Sequence, residues 1–293
     1  MMIGFSLKPR NARISDFEKQ LIYFENIGAE SVEIPLYELD IICGKQIVQD
    51  ELIFLQQTLK ISNLNRSLHG SISVNLMDDE YLNDHKEVLK RDIEISEAIN
   101  SLILVTHFGY TSKKNYENKN IYNKLLAKQL ETYYEMAEYA KAHNVILAVE
   151  NLFPFTQKDY APLPSEIAEQ ISLLSHSNAK VTIDFSHAYI NCSLNNVNYI
   201  EEIKSLAPLT KHLHLHDSFG KLKVMDTYIH SEDVTYGQGD IHLPLGWGDI
   251  PFKKIFSDIQ FPSNIILNFE LSLRYERYYK KNFDIAKELI KLR

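Results

Sequence analysis

Cysteine is nearly absent from this chain. Its 293 residues include two, Cys43 and Cys192. That excludes a disulfide framework and a cysteine-ligated zinc site, and it suits a reducing, cytoplasmic compartment. Glycine is sparse, with ten residues, and none builds the glycine-rich turn after the first strand that a doubly wound dinucleotide-binding sheet requires. No apolar run approaches the roughly 18 residues of a membrane span. Met1-Met2 leads straight into apolar residues with no basic segment ahead of them, so no signal peptide is expected. Positive charge is the minority sign: 31 Lys and Arg stand against 39 Asp and Glu, giving a net charge of −8. A generic nucleic-acid binder is therefore excluded, although an enzyme with a local basic rim is not. No linker, repeat or low-complexity tract divides the chain, and one domain over residues 1–293 is expected.

What is present is alternation. Apolar, strand-like segments fall at residues 3–7, 31–36, 66–69, 101–107, 145–150, 180–184, 211–217 and 264–270. Helical patterns lie between them, for example Phe17, Leu21, Phe24 and Ile27 ending at Gly28, with Ser15-Asp-Phe-Glu18 as a capping box. Further helices are read over 50–63, 81–100 with Asn100 as the stop, from the Lys-rich loop 111–120 to about 144, from the Pro162–Ser165 region to about 175, over 199–207, at Pro251 and over 283–292. Residues 218–248 form the longest irregular stretch. Eight strand–helix units in one domain predict an α/β fold, a single (β/α)8 TIM barrel.

The polar residues cluster at strand ends. His69, His107, Glu150, Asp184, His214 and Glu270 lie at or near the C-terminal ends of six different strands, and His187 follows three residues after Asp184. Barrel active sites are built on that face, and histidines among carboxylates are a metal-ligand inventory. The segment Lys211-His-Leu-His-Leu-His-Asp217 sets His212, His214 and His216 on one strand face, where three imidazoles suit zinc or manganese better than an apolar core; a hydrated, histidine-rich edge strand is the lesser alternative for that stretch. Glu33 sits inside an apolar run, which is costly unless it faces a polar centre.

Three motifs carry a resemblance: His69-Gly-Ser-Ile-Ser-Val-Asn75, Val181-Thr-Ile-Asp184-Phe-Ser-His187 and Asp240-Ile-His242-Leu-Pro-Leu-Gly246-Trp-Gly248. With them the chain resembles the xylose isomerase-like barrel superfamily, which contains sugar isomerases and epimerases and also the endonuclease IV family of abasic-site endonucleases. The endonuclease resemblance implies nine metal ligands: His69, His107, Glu150, Asp184, His187, His214, Asp240, His242 and Glu270. The isomerase and epimerase branch implies a single divalent ion on Glu150, Asp184, His214 and Glu270. The cofactor expectation is thus one to three Zn²⁺ or Mn²⁺ ions. The chain departs from the endonuclease pattern at Ile72 (tyrosine there), His216 (asparagine) and Trp247 (an acidic residue), and its 217–240 connection is longer.

Two chemistries follow from the resemblance. The first is a metal-dependent sugar or sugar phosphate isomerase or epimerase. Glu150 and Glu270 would exchange a proton beside a carbonyl, with His187, His216 and Glu33 near the substrate and Lys8 and Arg10 available to a phosphate. A solvated basic loop is the plainer reading of Lys8 and Arg10, and a carboxylate paired with Lys or Arg the plainer reading of Glu33. The second is a zinc-dependent phosphodiester hydrolase acting on abasic DNA or another phosphoester, with Lys113, Lys114, Lys119 and Lys124 following the backbone. Those lysines also fit a solvated loop. A silent barrel that only binds a sugar or a partner is the third option, disfavoured by the intact acid–base carboxylates. The first is preferred: the expected partner is a small molecule, with DNA the lesser expectation and no membrane.

Overall fold

The computed structural model describes residues 1–292. Eight parallel strands close into a barrel: Met2–Ser6 (β1), Ser31–Pro35 (β2), Asn65–His69 (β3), Ile103–His107 (β4), Ile146–Glu150 (β5), Ala179–Asp184 (β6), Thr210–Leu215 (β7) and Ile266–Phe269 (β8). They pair in sequence order, and β1 meets β8 to complete the ring. The surrounding helices are Phe17–Ile27 (α1), Gln49–Leu59 (α2), Leu82–Ala98 (α3), Lys119–Ala142 (α4), Pro164–Leu174 (α5), Phe185–Asn195 (α6), Tyr199–Leu206 (α7), His230–Tyr236 (α8), Phe252–Asp258 (α9) and Tyr279–Ile290 (α10). No described helix is long and apolar enough to cross a membrane.

Strand side chains alternate between the two faces of the sheet, and the two sets do different work. The outward set, including Phe5, Val32, Leu68, Leu104, Leu147, Ile183, Leu213 and Leu267, joins the large core under the helices. The inward set is graded along the barrel axis. At the N-terminal mouth Ile103, Ala148 and Ile266 form a small apolar cluster with Met2. Adjoining it, Ser6, Glu33, Ser67, His212 and Asn268 form a buried polar group, with Ser67 level with Ile103 and His212 level with Ile266. Beyond that come His69, His107, Glu150, Asp184, His214 and Glu270, all buried.

The expected helix stops are present: Gly28 at φ 90° and Asn100 at φ 55° both adopt the left-handed conformation. Several other expectations need correction. The Ser15–Glu18 capping box does not form. Ile14–Asp16 makes a 3₁₀ turn instead, and the Asp16 carboxylate accepts from the Arg10 backbone N–H at 2.8 Å. The segment after Asp184 is helical at once, because Asp184 Oδ1 accepts from the His187 N–H at 2.7 Å and caps α6. The 111–120 stretch is not a plain loop: Thr111–Ser112 pairs with Asp159–Tyr160, and Ser112 caps a short helix at Lys113–Glu117. The 218–248 stretch contains α8, stopped by Gly237 at φ 60°. The last helix begins at Tyr279, earlier than residue 283.

Asp217 pins both ends of that long connection. Its carboxylate accepts from the N–H groups of Ser218 (3.0 Å), Gly246 (2.7 Å) and Ile250 (3.2 Å). Gly248 passes so close that a Cβ there would lie 2.2 Å from the Ser218 carbonyl oxygen, which is why the Gly-Trp-Gly segment ends on a residue without one.

Candidate metal centre

The C-terminal ends of the strands bring all nine expected ligands to one face, in three adjoining groups. The central group surrounds His214. Its Nδ1 lies 3.1 Å from Glu150 Oε1, 3.4 Å from Glu270 Oε2 and 3.8 Å from Asp184 Oδ2. These four residues come from β5, β6, β7 and the residue just after β8. Among the described residues no lysine or arginine forms an ion pair with any of the three carboxylates; imidazoles surround them, and Lys8 acts on Glu270 only from a distance. The opposite ring nitrogen, His214 Nε2, is 3.1 Å from Glu33 Oε2. A carboxylate on one imidazole nitrogen leaves the other with its lone pair free, as ligating histidines require. Three oxygen donors and one nitrogen donor, buried and lacking any fixed cation, fit a divalent metal ion.

The electrostatics follow from this crowding. Burial alone would raise the Glu150 carboxyl, yet His214, His187 and His69 around it hold it well below the usual carboxylate range. Burial disfavours a charged His214, but Glu270, Glu33 and Glu150 raise it well above an ordinary histidine. Without a metal ion the proton on His214 balances the carboxylates; a bound cation would take that part.

Beside this group, His69 Nε2 is 3.2 Å and His107 Nε2 3.6 Å from Glu150 Oε2. His69 Nδ1 faces the Gly70 carbonyl and His107 Nδ1 the Ile72 carbonyl, at 3.1 and 3.0 Å. Burial lowers His107 to about 4, only partly opposed by Glu150, so it is neutral and able to ligate. The third group gathers on Asp240: His187 and His242 approach its Oδ2 at 3.2 and 2.8 Å, and the ring of His216 stacks on that of His242 with centroids 4.0 Å apart.

The residues expected to touch substrate divide. His187 and His216 are in the site. Glu33 is fully buried beneath His214; its other partners are Ser6 Oγ and Asn268 Nδ2, each at 2.9 Å, and His212 at 3.4 Å, with no Lys or Arg among the described residues. Lys8 Nζ is 3.7 Å from Glu38. Arg10 is exposed, and only its backbone is hydrogen-bonded, to Asp16. Lys119, one of the lysines set against DNA, lies 3.7 Å over the Tyr116 ring. His212, which had no expected role, faces Ser67 Oγ at 3.1 Å inside the barrel.

Some supporting residues were not foreseen. Asp92 on α3 accepts from the Ser71 N–H and hydroxyl at 2.9 and 3.0 Å, fixing the turn after His69. Phe153 lies against the His187 ring at 5.0 Å, and Tyr37 packs edge-on against His69 at 5.0 Å. Asp92 and Phe153 occupy ordinary helix and loop positions that no motif marks, whereas Tyr37, just beyond the end of β2, could have been found by extending the strand-end argument to the second strand.

The profile of the family described as xylose isomerase-like TIM barrel matches residues 23–290. The chain belongs to this family. No curated protein matches it by sequence. Among solved structures, this xylose isomerase-like barrel superposes on a D-tagatose 3-epimerase-like protein with a TM-score of 0.71 at 18% identity, over 100% of this chain and 98% of the other. A D-psicose 3-epimerase determined in the presence of D-fructose gives 0.69 at 14% identity, over 99% of each chain. A 3-keto-D-glucoside 4-epimerase from E. coli gives 0.65 at 12% identity, over 98% of this chain and 99% of the other. At these identities the likeness establishes the fold.

Proposed function

We propose that this xylose isomerase-like barrel is a divalent-metal-dependent epimerase or isomerase of an uncharged ketose. The observation that carries this reading is the placement of Glu150 and Glu270. Both approach the same nitrogen, His214 Nδ1, at 3.1 and 3.4 Å, from strands separated by two others. The sugar epimerases among the structural neighbours agree with it.

Glu150, Asp184, His214 and Glu270 would hold the ion. When bound, it would polarise the substrate carbonyl and the adjoining hydroxyl and so acidify the C–H between them. The protein supplies the proton transfer. One glutamate takes the proton from one face of that carbon and the other returns a proton to the opposite face, inverting the centre. Both carboxyls sit below the ordinary range, Glu270 because His214, Lys8 and His242 outweigh its burial, so the one that returns a proton first takes it from water, and the one that removed the substrate proton releases it to water afterwards. Glu33 fixes the His214 ring from below. Lys8, engaged with Glu38, and Arg10, exposed, build no phosphate cradle, which favours a neutral sugar.

The test is solvent exchange. Metal-loaded protein incubated with ketohexoses in deuterated water should place deuterium at the epimerised carbon, and Glu270→Gln should not. Absence of exchange with every ketose tried refutes the reading. A second reading has its own support: His69 and His107 beside Glu150 form a further ligand group that a one-metal epimerase does not need. Cleavage of an abasic duplex by the zinc-loaded protein at low salt, without ketose exchange, would favour metal-assisted phosphoester hydrolysis.

A further inference from the structure

Tyr110, Phe153 and Phe155 form a run of aromatic rings that starts on a residue of the site. His187 Nδ1 lies 3.3 Å from Glu150 Oε1. The Phe153 ring lies against the His187 ring with centroids 5.0 Å apart, Phe155 meets Phe153 edge-on at 5.7 Å, and Tyr110 meets Phe155 edge-on at 5.0 Å. The run leads outward: Phe153 and Tyr110 are half-buried, and Phe155 is 46% exposed. None of the three joins a hydrophobic core cluster of the described residues. Aromatic residues close by in sequence behave differently: Tyr116 stacks on Tyr160 with centroids 3.5 Å apart, and both belong to the main core. The loops that carry the three rings are held by other groups. Asn75 accepts from the Tyr110 N–H at 3.2 Å and donates to the Tyr110 carbonyl at 3.1 Å. Asp159 accepts from the Thr156 N–H and hydroxyl at 2.9 and 2.8 Å, and Asn191 Nδ2 donates to the Leu152 carbonyl at 3.3 Å. Thr111–Ser112 pairs with Asp159–Tyr160 and ties the two loops together. The rings are thus not what closes the loops.

A single exposed apolar side chain is ordinary. Three contiguous rings outside the core, on a hydrogen-bonded frame beside the site, are a binding surface. Its surroundings describe the occupant. The Tyr110 hydroxyl forms no hydrogen bond with the described residues, and Thr156, Gln157 and Lys158, next to Phe155, are exposed. The surface therefore suits a ring with an apolar face and a polar edge. A pyranose has both: a face of C–H bonds, which packs on the electron-rich face of an aromatic ring, and hydroxyls around its rim. We propose that Tyr110, Phe153 and Phe155 form a subsite for a second sugar ring, so that the preferred substrate is a ketose carrying a glycosyl group. This rests on the ketose reading above and narrows it. The ketose unit would occupy the Glu150, Asp184, His214 and Glu270 group. The glycosyl ring would pass His187 and lie along Phe153 and Phe155, with the Tyr110 hydroxyl at its edge.

The test reads binding as well as turnover. Full-length, Mn²⁺-loaded wild type is titrated in a calorimeter with D-fructose and with maltulose and isomaltulose, two ketoses that are fructose carrying a glucose ring. At least one of the disaccharides should bind at least tenfold more tightly than fructose. Phe155→Ala, checked by circular dichroism to be folded, should bring that ratio close to one, and Phe155→Tyr, which keeps a ring, should retain it. A smaller wild-type preference for both disaccharides, or no binding of either, overturns the proposal. So does a ratio that survives in Phe155→Ala or is lost equally in Phe155→Tyr. Deuterium exchange measured on the same samples separates this proposal from the one it rests on. Exchange into fructose without a disaccharide preference would overturn the subsite and leave the epimerase standing. A disaccharide preference that Phe155→Ala abolishes, with no exchange into any sugar, would count against the epimerase and leave the subsite standing.

Discussion

Glu33→Gln keeps the side chain's shape and removes one acceptor, and the structure states what must follow. Glu33 Oε1 already receives two donors, Ser6 Oγ and Asn268 Nδ2, each at 2.9 Å. In the variant the amide oxygen stays with them and the amide NH₂ turns towards His214 Nε2, 3.1 Å away. Donor then faces donor. The ring resolves this by moving its proton to Nδ1, the nitrogen aimed at Glu150, Asp184 and Glu270. Loss of such an outer partner costs about 10–100-fold in metal affinity, or about 1.4–2.7 kcal/mol. The metal-free variant also loses a charge-assisted hydrogen bond worth about 1.5–3 kcal/mol. Calorimetric titration of metal-free wild type and variant with Mn²⁺ or Zn²⁺, beside urea denaturation, measures both effects. The metal Kd should rise 10–100-fold while the KM for sugar at saturating metal stays close to wild type. An unchanged metal Kd with a raised sugar KM would place Glu33 against substrate and refute the reasoning.

Three further outcomes are expected. Glu270→Gln, assayed at saturating metal, should lower the rate of deuterium exchange by about 10²–10⁴, the range for losing a general acid or base. Gly248→Ala places a Cβ 2.2 Å from the Ser218 carbonyl oxygen, and should destabilise by about 1–3 kcal/mol, the usual cost of overpacking, read as a lower urea midpoint. Burial raises Asp92 from 3.8 to about 6 against the hydrogen bonds from Ser71. The folded chain therefore holds that proton more tightly than the unfolded chain, so its contribution to stability is full below pH 4 and lost as pH rises to about 6, a change of about 3 kcal/mol. Asp92→Asn should be the more stable protein at pH 7–8, with its advantage shrinking towards pH 4; a pH-independent difference in unfolding free energy would contradict this.

The barrel was legible because period-two alternation and strand-end polarity are local signals. Each strand carries its own, and eight repetitions remove the ambiguity of any one. Six of the nine expected ligand positions could be read for the same reason, since they lie at or next to a strand end, and His187 follows three residues on; Asp240 and His242 sit in the long connection and came only from the motif resemblance. What stayed hidden depends on distant partners. Glu33 is conspicuous in an apolar run, but its partner His214 lies 181 residues away, and nothing near Glu33 distinguishes a substrate contact from a ring support. His216 is visible as a departure from asparagine, yet its partner Asp184, 2.9 Å from Nε2, lies 32 residues away. Helix α6 was missed because Asp184 reads as the end of a strand, and its second function as a cap is set by the backbone turn that follows.

The polar middle layer of the barrel fits an interior arranged around the candidate metal centre rather than for stability. A barrel selected for packing alone fills its interior with Val, Ile and Leu. Here the apolar part is small: Ile103, Ala148 and Ile266 at the N-terminal mouth, and Val105 two residues on from Ile103. Above it Ser6 and Asn268 hold Glu33, Glu33 holds His214, and His214 faces the carboxylates, a hydrogen-bonded column with no apolar substitute. This layer is imperfectly satisfied: His212 Nδ1 and Asn268 Oδ1 are buried without partners, and each such group costs on the order of 1–3 kcal/mol. Part of that cost lies with groups that never approach a substrate. It is understandable only if a fixed His214 ring matters more to the protein than the stability an apolar layer would add, because the orientation of that ring decides which nitrogen faces Glu150, Asp184 and Glu270.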